Sequence, residues 1–306
     1  MKHVGTKTIE TTRLILRRLE LTDAEMMFRN WTGDDKVTRF LRWDAHKTID
    51  DTKNMIQQWV NNYQYDTTYY WGMYLKDGEM IGTIGITITS EYDFKGELGY
   101  KIGSRWWSQG YSSEAARAVI DYMFCNTDIE RIDAFSSVEN PASKKVMEKV
   151  GMHYEGLLRH YYKTRDGFHD CTLYGIIRNE WEQIMRSDII KKYFQAWINK
   201  DIEIVKQTFS ENALYSECYG PEYHGLSQIV KWFEDWNNRG QVLEWTIKRI
   251  LEQNETLIVE WYFKCNYDGM VDGFDGVTIA DFDDDMRIVK LCEFQSKAEH
   301  YYPYEA

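Results

Sequence analysis

The order of the predicted elements changes near Ser187, and this change constrains the fold more than any other feature of the chain. Before Ser187, the hydrophobic pattern predicts strands and helices in alternation, from a strand over Lys7–Leu19 to a strand that ends at Ile177. After it, the pattern predicts helices first and then four long strands, which would form a curled antiparallel sheet. The first order is typical of a mixed α/β domain and the second of an α+β domain. Because no internal repeat relates the halves, we predict two unlike domains, over residues 1–186 and 187–306.

Composition and charge exclude several classes of protein. Aromatic residues make up 15% of the 306 residues, which argues against disorder. The net charge is −2 over residues 1–186 and −10 over residues 187–306, so neither half has the basic surface that nucleic acid or an anionic membrane requires. The five cysteines form no CxxC pair, no signal-peptide pattern is present, and the longest apolar-rich stretch, Ile81–Ile88, is too short to cross a membrane. We therefore predict a cytoplasmic protein with reduced thiols and no metal site.

Capping signals place the ends of two helices. Thr22 followed by Glu25 has the spacing of a capping box and predicts a helix that starts after Thr22. Asn140 followed by Pro141 predicts a second helix start, and Gly151 predicts the end of that helix.

A strand that runs through a short loop directly into a helix predicts an anion site. The first amides of a helix have no intrahelical acceptor and lie at the positive end of its dipole. They suit a pyrophosphate in particular, and Gly110 would let such a ligand approach the backbone closely. The alternative is an ordinary capped helix start, and the loop alone does not decide between the two. The residues concerned are Gln109, Gly110, Tyr111, Ser112 and Ser113.

Two linked motifs stand in the first half of the chain. The first consists of Glu97-Leu-Gly-Tyr100 and Trp107-Ser-Gln-Gly-Tyr-Ser-Ser-Glu-Ala115. The second runs from Glu139-Asn-Pro-Ala-Ser143 to Lys149-Val-Gly-Met152. Together they resemble the motifs of the Gcn5-related (GNAT) N-acetyltransferases of the ribosomal-protein N-terminal acetyltransferase type. The resemblance extends over about residues 8–182 and implies a mixed-sheet acetyltransferase domain.

The resemblance implies acetyl-CoA as co-substrate and suggests a role for each motif. The amides of Gln109 to Ser113 would bind the pyrophosphate, and the strand edge from Tyr100 to Ile102 would pair with the pantetheine arm and polarise the thioester carbonyl. Asn140 would hold the pantetheine. Ser143 would protonate the leaving thiolate, and Lys144 or Lys145 would contact the adenosine phosphate. The implied cofactor-binding residues are Tyr100, Ile102, Gln109, Gly110, Tyr111, Ser112, Ser113, Asn140, Ser143 and Lys145.

The attacking amine must lose a proton, which requires a general base. Glu97 is the candidate, although it would serve equally well as a structural partner of a nearby arginine. Some ribosomal-protein acetyltransferases have a glutamate in the closing strands where this chain has Tyr161 and Tyr162. The acceptor is therefore left open between a protein N-terminus and a small-molecule amine. Either acceptor contacts or loop packing would explain Trp43, Asp44 and His46.

Several segments of the second half carry a further resemblance, among them Tyr193–Trp197, Tyr223–Gly225, Phe274–Val277 and His300–Pro303. They are similar to segments of the SnoaL-like branch of the nuclear transport factor 2 (NTF2) superfamily, which implies an α+β cone with an apolar pocket. A carboxylate in such a pocket would have a raised pKa. We expect this domain to bind a ligand or to dimerise rather than to catalyse. The candidate acids or bases within it are Glu217, His224, Asp275 and Glu293.

Together these features predict an acetyl-CoA-dependent N-acetyltransferase that acts by direct transfer in a ternary complex, as a homodimer. The alternatives are a non-catalytic acyl-CoA sensor and a separate small-molecule activity in the NTF2-like domain. The acidic run Asp281–Asp285 resembles the start of a calcium loop, but Met286 and Cys292 stand where that loop requires glycine and glutamate. We interpret the run as a solvated hairpin turn.

Overall fold

A computed structural model describes residues 1–296 of the chain. These residues form two compact units, one over Met1–Trp181 and one from Glu182 onward. The predicted domain boundary after residue 186 lies inside the helix that contains this division, and it stays a prediction. The segment His300–Pro303 lies outside the described residues.

The first unit is built on an eight-stranded sheet of order β1-β2-β3-β4-β5-β6-β8-β7. Neighbouring strands are antiparallel except β5 and β6, which are parallel. The strands are β1 (Ile9–Glu10), β2 (Leu14–Arg17), β3 (Tyr69–Leu75), β4 (Met80–Ser90), β5 (Lys95–Ile102), β6 (Arg131–Ser137), β7 (His153–Thr164) and β8 (Gly167–Ile177). The helices are α1 (Ala24–Met27), α2 (Asp35–Thr38), α3 (Ile49–Asn62), α4 (Tyr111–Asn126), α5 (Pro141–Lys149) and the beginning of α6 (Arg178–Asn199).

Helices cover the central strands. For this reason, consecutive residues of β3 and of most of β4 are buried, instead of alternating between buried and exposed positions. One hydrophobic cluster joins Met27, Trp31 and Ile56 to Tyr70 and Tyr74 of β3. The helix α4 contacts β4 and β5 and has a buried face of small and aliphatic side chains. This packing holds the end of β5 beside the start of α4.

The prediction of one strand over Lys7–Leu19 is wrong, because the chain turns between β1 and β2. The Thr11 amide donates to the Leu14 carbonyl oxygen at 2.9 Å, and the Leu14 amide donates to the Thr11 hydroxyl at 2.9 Å. A threonine side chain that accepts a main-chain hydrogen bond offers an alternative to strand pairing. The hydrophobic pattern does not report this alternative.

The prediction of a helix cap at Thr22 is also wrong, because α1 is preceded by a short 3-10 helix over Leu21–Asp23, whose capping box consists of Glu20 and Asp23. The buried carboxylate of Asp23 accepts from the Glu20 amide at 2.8 Å and pairs with Arg17 at 2.8 Å. A buried carboxylate requires such partners. This requirement moves the helix start two residues towards the N-terminus.

The second unit has a six-stranded sheet of order β10-β9-β14-β13-β12-β11. The four long strands β11 to β14 pair in antiparallel order, which confirms that prediction, and the sheet is mixed because β9 pairs with β14 in parallel. The elements are the rest of α6, α7 (Ile202–Thr208), β9 (Phe209–Ser216), β10 (Glu222–His224), α8 (Leu226–Arg239), β11 (Gly240–Gln253), β12 (Thr256–Tyr267), β13 (Met270–Phe282) and β14 (Ile288–Gln295).

Aromatic side chains dominate the core of the second unit. Phe194 of α6 stacks on Trp245 of β11 with 4.0 Å between ring centroids, and Trp261 meets Trp245 edge-on at 5.7 Å. Offset-stacked and edge-on pairs are the favourable aromatic geometries. Within residues 1–296, none of the helices is both long and apolar enough to span a membrane.

Candidate active site

Strands β5 and β6 separate after three paired positions. Lys95, Gly96 and Glu97 pair with Arg131–Asp133, and beyond them each strand is paired only with its outer neighbour. The facing main-chain groups of residues 98–102 and 134–137 are thus available to an extended ligand, as at an open sheet edge. Main-chain donors and acceptors need partners when they are buried. The gap is therefore suited to a linear molecule that carries amide groups.

The helix α4 starts beside this gap without a side-chain cap. Gly110 is the N-cap residue with φ of 84° and ψ of −2°, a left-handed conformation that favours glycine. Among residues 1–296, no side chain accepts a hydrogen bond from the amides of Tyr111, Ser112 or Ser113. This helix therefore does not start with an ordinary side-chain cap, which was the alternative interpretation of the loop. The first amides of this helix therefore suit an anion.

Arg13 contacts this helix start and holds it in place. The sequence motifs did not identify Arg13. Its guanidinium donates to the Gln109 carbonyl oxygen at 3.0 Å and to Glu114 of α4 at 2.6 Å, and it lies 4.4 Å from the centroid of the Tyr111 ring. Thr11 donates to the same glutamate at 2.6 Å. The polar residues around Arg13 do interrupt two apolar strand segments in the sequence. However, no local rule connects that turn to a helix about 100 residues later.

Two hydroxyl groups meet on the α5 side of the gap. The Asn140 side chain accepts from the Ser143 amide at 3.2 Å, which confirms the predicted cap of α5. The Ser143 hydroxyl lies 2.8 Å from that of Tyr100 on β5. Burial raises the pKa of Tyr100 to about 12, so this hydroxyl keeps its proton at neutral pH. The side-chain NH₂ group of Asn140 has no acceptor among residues 1–296 and is available to donate to a ligand.

Glu97 lies three positions before Tyr100 on β5, so the two side chains point to opposite faces of the sheet. Glu97 is half-buried and has neither an ion-pair nor a hydrogen-bond partner among residues 1–296, so it is not the structural partner of an arginine. Burial raises the pKa of Glu97, and the charge of neighbouring Asp133 adds to the rise. Asp133 itself is paired with Lys95 and Arg131. An unpartnered carboxyl with a raised pKa beside a gap has the properties of a general base.

The remaining residues predicted to bind the cofactor differ in whether their polar groups already have partners within the protein. The Gln109 side chain donates to the Arg105 carbonyl oxygen at 3.0 Å, and the Ile102 carbonyl oxygen accepts from the Trp107 indole at 3.0 Å. Lys144 pairs with Glu148 at 3.7 Å. Lys145 is exposed on α5, and its predicted contact with the adenosine phosphate stays a prediction.

Comparison with known proteins identifies the family of this site. A family model described as acetyltransferase (GNAT) domain matches residues 13–153. An uncharacterised N-acetyltransferase of Bacillus subtilis, YoaA, is 33% identical over 171 residues, which cover 56% of this chain and 96% of that protein. The uncharacterised N-acetyltransferase p20 of Bacillus licheniformis is 30% identical over 177 residues, which cover 57% and 98%. The chain belongs to the GNAT N-acetyltransferases.

More distant relatives of this GNAT enzyme have more specific names. The ribosomal-protein-serine acetyltransferase of Escherichia coli is 27% identical over 138 residues, which cover 45% of this chain and 76% of that protein. A crystal structure of a GNAT-family acetyltransferase from Bacillus anthracis covers 56% of this chain and 99% of its own, at 26% identity and a TM-score of 0.51. The microcin C7 self-immunity acetyltransferase, solved with acetyl-CoA and AMP, covers 55% and 93% at 19% identity and a TM-score of 0.51, a likeness of fold alone.

A second family model, described as SnoaL-like domain, matches residues 190–291. The GNAT enzyme therefore carries a C-terminal SnoaL-like domain, and both predicted resemblances are confirmed. The relatives named above match only the acetyltransferase part of the chain.

The Glu97 face of this GNAT domain has an aromatic surface near the gap. Tyr161 and Tyr162 of β7 contact Phe135 of β6, with ring centroids 5.1 Å and 5.5 Å from it. The Arg42 guanidinium lies 4.6 Å from the centroid of the Tyr162 ring, and its charge acts on Glu97. These aromatic side chains therefore lie on the Glu97 side of the sheet.

Loop packing explains the three residues after the first helices better than acceptor contact does. Trp43 packs on Trp31 and on His46, and the His46 ring bonds the Thr52 hydroxyl at 2.7 Å. Burial lowers the pKa of His46. Asp44 lies 3.6 Å from Arg165.

Two of the four candidate acids or bases of the SnoaL-like domain line a cavity, and two do not. Glu217 and Glu293 line it. His224 is exposed, 3.8 Å from Glu222, and Asp275 is paired with Lys248 at 2.5 Å. Residues 1–296 contain no cluster of side chains that could hold a metal ion.

Proposed function

We propose that this GNAT enzyme transfers the acetyl group of acetyl-CoA to a primary amine by direct attack in a ternary complex. The observation that carries the proposal is the uncapped start of α4 beside the gap between β5 and β6. The helix start suits a pyrophosphate, and the gap between the strands suits the amide-bearing pantetheine arm. In CoA the pantetheine arm is attached directly to the pyrophosphate, so the two sites lie beside each other as the molecule requires.

The two faces of β5 supply the two proton transfers that the reaction needs. Glu97 takes a proton from the ammonium group of the acceptor, and the neutral nitrogen attacks the acetyl carbonyl carbon. A free main-chain amide of β5 stabilises the negative oxygen that develops. As the tetrahedral intermediate collapses, the C–S bond breaks. The CoA thiolate then takes a proton from Ser143, whose hydroxyl is bonded to that of Tyr100. To restore both residues, the extra proton that remains on the acylated nitrogen passes through solvent to Ser143, and Glu97 gives its proton to solvent.

The acceptor is a primary amine whose neighbouring groups are apolar or aromatic. Phe135, Tyr161 and Tyr162 support this class, because they are the surface beside Glu97. Both a small-molecule amine and a protein N-terminus with apolar first residues satisfy it. The name of the Escherichia coli relative favours a ribosomal protein N-terminus, whereas the exposed aromatic surface favours an aryl-alkyl amine.

A transfer assay tests this function. The purified full chain is mixed with acetyl-CoA and a panel of N-terminal peptides, aryl-alkyl amines, aminoglycosides and polyamines, and the release of free CoA thiol is followed. We expect amine-dependent thiol release and an acetylated product by mass spectrometry. Binding of acetyl-CoA without transfer to any amine would favour the acyl-CoA sensor instead, and absence of binding at millimolar concentration would exclude both.

Arg13→Gln should weaken acetyl-CoA binding about two- to fivefold, because an exposed ion pair contributes about 0–1 kcal/mol and the helix start loses its contact with the Arg13 guanidinium. Isothermal titration calorimetry measures the affinity. Arg29→Gln is the matched control, since Arg29 pairs with Glu79 at 2.9 Å and is similarly exposed. Equal affinities of the two variants would remove Arg13 from the site.

Tyr100→Phe and Ser143→Ala should each lower kcat by about 10- to 100-fold, the lower end of what a general acid contributes. The KM for acetyl-CoA should change less than twofold. Because the two hydroxyls act as one unit, the double variant should be no slower than the slower single variant. Additive losses, or wild-type kcat in Ser143→Ala, would contradict the shared role.

A further inference from the structure

The cone of the SnoaL-like domain contains a cavity of about 540 Å³ with mainly aromatic walls. Five of its lining side chains are tryptophans, from α6, α8, β11 and β12. A volume of this order accommodates a small organic molecule. The tryptophans are Trp197, Trp232, Trp236, Trp245 and Trp261.

Acidic groups outnumber basic ones on the cavity wall. The acidic residues are Glu217, Asp235, Asp272 and Glu293, against one arginine, Arg239. That arginine is paired with Asp268 and lies 4.8 Å from the centroid of the Tyr267 ring, so its charge is already partnered. Neither glutamate has an ion-pair partner in the part of the chain that the structure describes.

Glu293 lines the cavity, and one of its carboxyl oxygens is buried with no hydrogen-bond partner among residues 1–296. Three groups from neighbouring elements face it: Tyr193 of α6, Tyr215 of β9 and Glu217 just after β9. The two tyrosine hydroxyls are 3.3 Å apart and bond each other. Glu293 therefore neighbours Tyr215. An unpartnered buried oxygen implies a partner supplied from outside the chain.

We propose that this cavity is a second ligand site, separate from the acetyl-transfer site, and that it binds an organic cation with an apolar body. Tryptophan is the best aromatic partner for a cation, and the attraction grows when water is excluded. The unpaired carboxyls of Glu217 and Glu293 supply the opposite charge. A neutral apolar ligand would satisfy the walls but leave both carboxyls without a counter-charge.

The proposal requires that binding be coupled to a proton. Burial raises the pKa of Glu293 to about 8 and that of Glu217 to about 7, and the charge of Glu217 adds to the shift at Glu293. In the empty cavity near pH 7, Glu293 is thus mostly protonated. A bound cation favours the ionised form, so it displaces a proton. Affinity for a permanent cation should rise as the pH rises from 6 to 9.

The test compares two probes of nearly the same shape, phenyltrimethylammonium and tert-butylbenzene, on the full chain without CoA. We expect the cation to bind at least tenfold more tightly than the hydrocarbon at pH 8, by calorimetry or tryptophan fluorescence. Its affinity should increase at least tenfold between pH 6 and pH 9. The heat of binding should depend on the ionisation enthalpy of the buffer, which reports the released proton.

Glu293→Gln keeps the shape of the side chain and removes its charge. It should weaken binding of phenyltrimethylammonium at least tenfold, reduce the pH dependence and leave tert-butylbenzene unaffected. Glu255→Gln, in the exposed turn after β11, is the control and should change nothing. An unaltered near-ultraviolet circular dichroism spectrum, to which the five cavity tryptophans contribute, would show that the second unit of Glu293→Gln is folded, and Glu217→Gln is the second variant if it is not.

Equal affinity for the two probes would overturn the assignment to cations, and so would an unaffected Glu293→Gln. Absence of binding of the cation at 10 mM would overturn the site altogether. These outcomes do not depend on acetyl transfer, so failure of this proposal and failure of the proposed function are distinguishable.

Discussion

Gly110→Val is expected to lower the affinity for acetyl-CoA at least 100-fold, about 3 kcal/mol. Gly110 has φ of 84°, a conformation that a β-branched residue adopts only with strain, and a Cβ there would lie 3.3 Å from the Arg13 guanidinium. Relief of either conflict moves the amides of Tyr111–Ser113 away from the positions where they meet a pyrophosphate. Calorimetric titration with acetyl-CoA measures the loss.

Gly78→Val is the matched control for backbone strain. Gly78 has φ of 94° in the turn between β3 and β4, and its Cβ position has no neighbour within 4 Å. Both variants should have a lower melting temperature than the parent chain, but Gly78→Val should bind acetyl-CoA normally. If Gly110→Val keeps its affinity while it shows the same loss of stability, the helix start is not the phosphate site.

Glu97→Gln is expected to reduce kcat at least 100-fold while the affinity for CoA stays within twofold of the parent value, since general-base catalysis contributes 10²- to 10⁴-fold. The reason is that an amide cannot take the proton of the acceptor ammonium. Steady-state kinetics with the best amine of the panel, together with calorimetry, separates the two effects. Glu10→Gln is the control, because Glu10 is an exposed carboxylate that pairs with Lys76.

The pH dependence gives an independent check on Glu97. Its pKa is raised by burial and then by Asp133, so turnover should decline as the pH falls through a value above that of an ordinary glutamate. A raised folded-state pKa means that the fold favours the protonated form. Its contribution to stability is present below the unfolded-state pKa and is lost as the pH rises through the folded-state value. Glu97→Gln should thus be no less stable than the parent at pH 7, and a large loss of stability would indicate a structural role.

Local rules predicted those parts of the acetyltransferase domain that depend on neighbouring residues. The apolar runs of Tyr69–Leu75, Met80–Ser90 and Arg131–Ser137 end at turn residues, so the hydrophobic pattern is sufficient to place these strands. The cap at Asn140 was predicted for the same kind of reason, since its partner amide is three residues away. Both family resemblances likewise came from short motifs.

The features missed by sequence analysis all join distant parts of the chain. No periodicity indicates that Arg13 contacts Glu114, or that β9 pairs with β14 in parallel. The gap beside β5 arises because two strands diverge after Glu97, and divergence is a property of the whole sheet. In the second domain, Glu293 was identified as a candidate, but its neighbour Tyr215 belongs to a strand about 80 residues earlier.

A crystal structure of the full chain with acetyl-CoA would test the central claim most directly. We predict pyrophosphate oxygens within hydrogen-bond distance of the amides of Tyr111–Ser113, pantetheine between residues 98–102 and 134–137, and the thioester between Glu97 and Ser143. A cofactor bound elsewhere, or main-chain groups of β5 and β6 that bond each other across the gap, would contradict it.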